Sequence, residues 1–369
     1  MARSFVGRKV SEHRGALLLS HPMEHGHVRD WGEMELVWRH CFQETSGGSL
    51  RACEARPLLL TLAPQTPRSE REAAAQALFE ALRAPALHLA PTATLALYAT
   101  GRTTGLVLEC GEGVTAATPV YEGFALPHAQ VKAEYGGGEV TRELALLLRR
   151  AGVGLSTTAE QEAVRSIKEG AAYVALDPAH AEALARDARP SSSSSASASA
   201  GSASAGSASA RSASASRGGG AAPAPGAPAG DAYTLPDGTR LSVGAELFRA
   251  PEVLFNPGLM GSEAPGVAAC VAAAVAQCDM DLRRAQLESI VLAGGCTAMR
   301  GFPQRLLAEV RRAAPAEARV AVWAPADRKV LTWLGGSILA SLSTFRSMWV
   351  TREQWEEEGF HALQRRGCL

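Results

Sequence analysis

The chain has 369 residues, of which 46% are hydrophobic, so it can bury a sizeable core and is long enough for two domains. Lys plus Arg and Asp plus Glu both number 37, which leaves no net charge and no long-range field toward nucleic acid or anionic lipid. No apolar run approaches the roughly 18 to 20 residues of a membrane span, and residues 1–10 carry Arg3, Arg8 and Lys9 where a signal peptide would be apolar, so a cytoplasmic or nuclear protein without membrane insertion is expected. The cysteines (Cys41, Cys53, Cys110, Cys270, Cys278, Cys296 and Cys368) form no CxxC pair and have no histidine at ligand spacing, so reduced thiols and no metal site are expected, with Cys368 exposed and reactive.

The elements alternate as α/β layers do. Residues 30–42 predict a helix with Trp31, Met34, Val37, Trp38 and Phe42 on one core-facing stripe. Residues 57–63 (PLLLTLA) predict a buried strand, followed by a helix over 69–82 opened by a Ser69–Glu72 capping box, with Ala73, Ala77, Leu78 and Leu82 facing inward. A short helix over 92–99 ends at Gly101, and strands 105–109 and 114–120 flank a Gly-Glu-Gly turn as a hairpin. Helices are predicted over 139–150 and over 157–172, the second with a Thr157–Glu160 capping box.

Residues 190–230 are almost wholly Ser, Ala, Gly and Pro, a composition that cannot offset ordering entropy, so a disordered insert is expected there. Beyond it, residues 233–243 read as a hairpin around Pro236-Asp237-Gly238. Helix 265–277, strand 289–292, helix 302–313, strand 320–323 and helix 330–342 complete the alternation.

Two glycine turns could carry chemistry: Glu109-Cys110-Gly111-Glu112-Gly113-Val114-Thr115, and Ala293-Gly294-Gly295-Cys296-Thr297 after a strand. Glycine lets backbone N–H groups converge on a phosphate, but an ordinary tight hairpin or helix start gives the same pattern. Order and spacing add to each turn alone. With residues 98–105 (YATGRTTG), Tyr121-Glu122-Gly123-Phe124, Pro127-His128, Ile167-Lys168-Glu169, residues 248–252 (FRAPE) and residues 333–342 (WLGGSILASL), the chain resembles the actin and actin-related family over most of its length outside the insert. Residues 12–15, 22–26, 98–101, 279–284 and 356–359 are more similar to the centractin branch of dynactin, whereas residues 341–345 resemble conventional actin.

The resemblance implies an α/β, ribonuclease H-like two-domain fold that holds ATP and a divalent cation in its cleft. On it, residues 1–91 are what remains of the first domain, whose first phosphate hairpin is expected to be missing, leaving strand 57–63 with an open edge and ATP binding weakened. Residues 92–189 and 231–328 form the second domain around the insert 190–230, and residues 329–369 return to the first. Gly111, Glu112, Gly113 and Val114 match the second phosphate hairpin, Gly294 and Gly295 a third glycine turn, Lys168 and Glu169 adenosine contacts, and Lys329 a residue near the adenine. Glu109 stands where the family has Asp, Thr92 where a Gln orients water, and Ala116 where a His follows the hairpin, so hydrolysis is expected to be impaired. His25 matches a histidine near the phosphate sensor, with an ordinary surface or core role as the alternative. Tyr98, Gly101, Thr103, Glu122, Phe124, Leu339, Leu342, Thr344 and Met348 match an apolar groove for regulators and neighbouring filament subunits, or else pack the core. The implied role is a divergent actin-like structural protein acting by assembly or scaffolding with actin-like filament subunits or dynactin-type actin-binding proteins. A working ATPase switch, or a nuclear or sperm scaffold subunit, is the alternative.

Overall fold

The computed structural model describes residues 5–7, 10, 19–45, 51–155, 157–187, 231–234 and 240–366. Expectations for residues 12–15, the 190–230 insert, the Pro236-Asp237-Gly238 turn and Cys368 lie outside the described residues. The chain divides into a large unit, residues 1–177 with 246–369, and a small one, residues 178–245.

In the large unit a hairpin of two short strands, β1 (Met23–Glu24) with β2 (His27–Val28), is followed by α1 (Trp31–Thr45) and α2 (Arg51–Ala55). Next come β3 (Leu58–Leu62), α3 (Arg68–Gln76), β4 (Ala86–Pro91) and α4 (Thr92–Ala99). The strands β5 (Gly105–Cys110), β6 (Thr115–Tyr121), β7 (Phe124–Ala125) and β8 (Val131–Ala133) lead to helices α5 (Gly137–Arg150) and α6 (Thr158–Ala171). The small unit holds α7 (Pro178–Asp187) and the antiparallel pair β9 (Asp231–Thr234) and β10 (Arg240–Val243). Back in the large unit follow α8 (Glu246–Arg249), α9 (Val267–Gln277), α10 (Met280–Glu288), β11 (Ile290–Ala293), α11 (Phe302–Ala313), β12 (Val322–Trp323), α12 (Leu331–Ser341), β13 (Val350–Thr351), α13 (Arg352–Glu358) and α14 (Phe360–Arg365).

One sheet runs β12-β11-β5-β6-β7, with β8 also on β6. β11 lies parallel to both β12 and β5, and β5 turns back antiparallel into β6. Its central strands are apolar on both faces because helices cover them, so they read as continuous runs rather than alternating ones. Leu106, Val107, Leu108, Val291 and Leu292 are fully buried, each contributing about 1.5–3 kcal/mol of apolar transfer. Pro119 sits inside β6 without breaking the sheet. The far side of β6 is held by β8 at residues 115–117 and by β7 at residues 120–121, so the missing N–H falls in the gap between two partners.

The second sheet has the order β13-β4-β3. Strand β3 was expected to be buried, but four of its five residues are half-buried and Thr61 is exposed, because among the described residues it pairs only with β4. Leu87 and Leu89 of β4 pack with Leu78, Phe79, Phe360 and Leu363, and Trp38 and Phe42 of the α1 stripe close over them. The Ser69–Glu72 capping box does not form. Pro67 takes the cap position without a side-chain bond and the helix starts at Arg68, which leaves Ser69 inside the first turn. After Gln76 the helix widens into a π turn over Ala77–Ala81, and in the turn before it Ala74 and Ala75 rather than Ala73 are buried. The Thr157–Glu160 box does form: the Glu160 amide donates to Thr157 Oγ1 at 3.3 Å and the Thr157 amide to Glu160 Oε2 at 2.7 Å.

Helices α4 and α12 approach closely because Gly335 has no side chain: a Cβ there would lie 1.8 Å from the Leu95 carbonyl oxygen. This contact joins the residues just before the central hairpin to the C-terminal segment.

Candidate functional site

The Gly111–Val114 turn closes on itself, with the Gly111 amide donating to the Val114 carbonyl at 2.9 Å. Among the described residues, the amides of Glu112, Gly113 and Val114 donate no intramolecular hydrogen bond. Around the turn the backbone is packed at glycine distance. A Cβ on Gly136 would lie 2.5 Å from the Gly111 oxygen, and one on Gly294 would lie 2.4 Å from the Cys110 oxygen. Gly294 also has φ 90°, a conformation that favours glycine. Parallel pairing of Ala293 with Glu109 brings the end of β11 beside the end of β5, so the two glycine turns share one side of the sheet.

The start of α5 completes the cradle. The Gly137 amide donates to the Gly111 oxygen at 2.9 Å and the Gly138 amide to the Glu112 oxygen at 2.7 Å. Residues 136–138 went unremarked as a motif in the sequence. Three consecutive glycines ahead of an amphipathic helix were the available signal.

Lys168, only 4% exposed, donates to the Gly137 oxygen at 2.8 Å and to Glu112 Oε2 at 3.3 Å, so the helix α6 lysine reaches the turn. Next to it on the chain, Glu169 Oε2 lies 3.9 Å from Lys329 Nζ, and Arg165 donates to Glu169 Oε1 at 3.1 Å. Every residue matched to the nucleotide therefore falls within one neighbourhood built on the ends of β5, β11 and α6. His25 joins it through a hydrogen bond between its Nδ1 and the Gly113 oxygen at 2.9 Å, which replaces the plain surface or core role with a contact to the turn.

The positions behind the turn differ in kind. Glu109 accepts a hydrogen bond from Thr92 Oγ1 at 2.6 Å. Burial pushes its carboxyl up to about 7, against the Thr92 and Thr332 hydroxyls, which favour the charged form. Ala116, the cross-strand partner of Glu109, is fully buried and bears no proton-transferring group. Thr92 is thus not only shorter than the matched Gln: its hydroxyl is already committed to Glu109. Thr332, which sequence reasoning missed, comes from α12.

The set fits a nucleotide phosphate in one respect: among the described residues the amides of Glu112, Gly113 and Val114 are free, on a turn whose backbone is held by close packing at Gly136 and Gly294. Glu109 and Glu112 would be the carboxylates nearest a cation there.

The matched groove residues lie at the surface. Phe124 is 77% exposed, Leu342 is 48% exposed, and Gly101, Thr103, Glu122 and Thr344 are exposed, while Tyr98, Leu339 and Met348 are half-buried. Core packing therefore does not account for them. Glu122 at φ 50° and Gly123 at φ 88° make the tight turn that presents Phe124, and the Gly123 amide is tied to the Thr103 oxygen at 2.7 Å.

With this geometry in place, comparisons with known proteins point one way. The Actin family model matches residues 1–368. An Actin-like protein from Neurospora crassa is 43% identical over 354 residues, a match covering 96% of this chain and 83% of that protein.

Proposed function

Because the chain belongs to the actin family, we propose that it is an actin-like structural protein that acts by assembly or scaffolding and hydrolyses ATP poorly. The observation that carries the second half is the corner behind the turn: Thr92 is bonded to Glu109 at 2.6 Å, and the residue across the strand pair is alanine. Phosphoryl transfer depends on positioning the nucleophile and stabilising charge. Here no side chain at those two positions is left to orient a water or to pass its proton. When bound, ATP with its cation would supply the phosphate chemistry. The protein's part would be the amides of Glu112, Gly113 and Val114, with Lys168 bracing the turn from below.

Assembly is supported by apolar side chains left in water. Phe124, Trp333, Ile338 and Leu342 are all exposed, and Trp333, Ile338 and Leu342 belong to or follow α12. Such residues suit docking of an amphipathic helix or a further actin-like subunit. Phe124→Ser with Leu342→Ser is expected to leave folding stability within about 0.5 kcal/mol of the parent and to reduce the sedimentable fraction under polymerising conditions. Unchanged sedimentation would remove these residues from the assembly surface.

A working ATPase switch is the second reading, and the free amides of the turn favour it. Rapid phosphate release by the unaltered protein would select it over the first.

A further inference from the structure

The two glycine turns each carry a cysteine, and the two thiols meet. Cys110 is fully buried at the end of β5, and Cys296, 5% exposed, is the second residue of the short 3-10 turn Gly295–Ala298. The Cys296 thiol donates to the oxygen of Gly111, the residue next to Cys110, at 3.0 Å, which sets it beside the Cys110 sulfur. Cys110 further contacts Thr115 Oγ1 at 3.2 Å. A Cβ built on Gly137 would sit 3.0 Å from Lys168 Nζ and 3.1 Å from Cys296 Sγ, so an ammonium lies beside the pair.

We propose that Cys110 and Cys296 are a redox-responsive dithiol, which closes to a disulfide under peroxide and fastens the two glycine turns together. The environment separates their roles. The Cys296 thiol, the Thr115 hydroxyl and the Lys168 charge hold Cys110 below the usual thiol range, whereas the bond to Cys110 and burial push Cys296 up. Cys296 donates its proton to the Gly111 oxygen, which favours its thiol form, so Cys110 is the nucleophile. Its thiolate attacks one peroxide oxygen, an S–O bond forms as O–O breaks, and the released hydroxide takes a proton and leaves as water. The Cys296 sulfur then displaces hydroxide from the Cys110 sulfenic acid. The S–S bond forms as S–O breaks, and the Cys296 proton departs with the hydroxide as a second water. Both thiols are oxidised and one peroxide is reduced to two waters. The other buried thiols do not share this setting: burial raises Cys53 and Cys278, and pushes Cys270 up to about 11.

The pairing itself stands apart from the nucleotide reading, whereas any effect on phosphate binding rests on it. In the test, the full chain is treated with hydrogen peroxide in its native state, free thiols are capped with N-ethylmaleimide, and unreduced digests are mapped by mass spectrometry. A dithiothreitol-sensitive peptide pair joining Cys110 to Cys296 is expected, absent from Cys296→Ser, in which dimedone instead traps a sulfenic acid at Cys110. Cys278→Ser should retain the linkage, as a control for folding of serine variants. Recovery of Cys110 and Cys296 as separate capped or over-oxidised residues in the parent, or pairing of either with another cysteine, overturns the proposal without reliance on any variant. A melting-temperature increment from magnesium ATP, measured before and after oxidation, separates the two readings. Linkage with no increment in either state supports the dithiol and counts against the nucleotide cradle alone.

Discussion

The turn at the end of β5 and the side chains immediately behind it belong to one hairpin, yet different physics constrains them. The turn is fixed by backbone: Gly136 and Gly294 are packed against the Gly111 and Cys110 carbonyls at distances that admit no Cβ. Behind it, Thr92, Glu109 and Ala116 are set by side-chain packing and by the Thr92–Glu109 hydrogen bond, with no backbone constraint on which residue types stand there. A binding shape made by backbone geometry therefore survives sequence change that rewrites chemistry one residue away.

The sharpest break of that contrast compares neighbouring glycines. Gly294→Ala meets a carbonyl at 2.4 Å and holds φ at 90°, so it is expected to lose about 3 kcal/mol or more. Gly295→Ala meets nothing within 4 Å and is expected to stay within about 0.5 kcal/mol of the parent. Denaturant melts of the two proteins measure the difference, and equal losses would show that the turn is not held by backbone packing.

Glu109 provides the next test, through pH. Its folded pKa of about 7 lies above the ordinary 4.5, so between those values the folded state holds the extra proton. Stability from this group is complete below about pH 4.5 and falls as pH rises through 7, by at most about 3 kcal/mol. Glu109→Gln should flatten that part of the stability profile, and an unchanged slope would place the carboxyl in water rather than in the core.

A smaller effect is expected of Thr92→Val, which keeps the volume and removes the donor at 2.6 Å. The loss should be about 1–2 kcal/mol, with Glu109 titrating at higher pH because a bond favouring its charged form is gone. A Thr92→Val protein with unaltered Glu109 titration would mean that the hydroxyl does not govern the corner.

Much of this was legible in the sequence, for identifiable reasons. The α4, β5 and β6 boundaries followed from Gly101 and from Gly111 and Gly113, residues whose backbone freedom marks where chains turn. The glycine turns converge because β5 and β11 run parallel, a pairing that local pattern implies only through the family resemblance. Less legible was whatever depends on neighbours distant in the chain. Strand β3 reads as buried from PLLLTLA, since apolar content cannot show that one flank has a partner and the other has none among the described residues. Ser69 with Glu72 spells a capping box, but Pro67, two residues earlier, takes the cap and the helix starts at Arg68. The meeting of Cys110 with Cys296, separated by 185 residues, leaves no local signature.

The central claim is that the cradle persists while the hydrolytic corner does not, and phosphate release from magnesium ATP tests it most directly, comparing the parent with Thr92→Gln/Ala116→His. The account predicts slow release by the parent and release faster by at least about tenfold in the double variant, the scale of a positioned acid–base group. Release by the parent as fast as, or faster than, that of the double variant would contradict it.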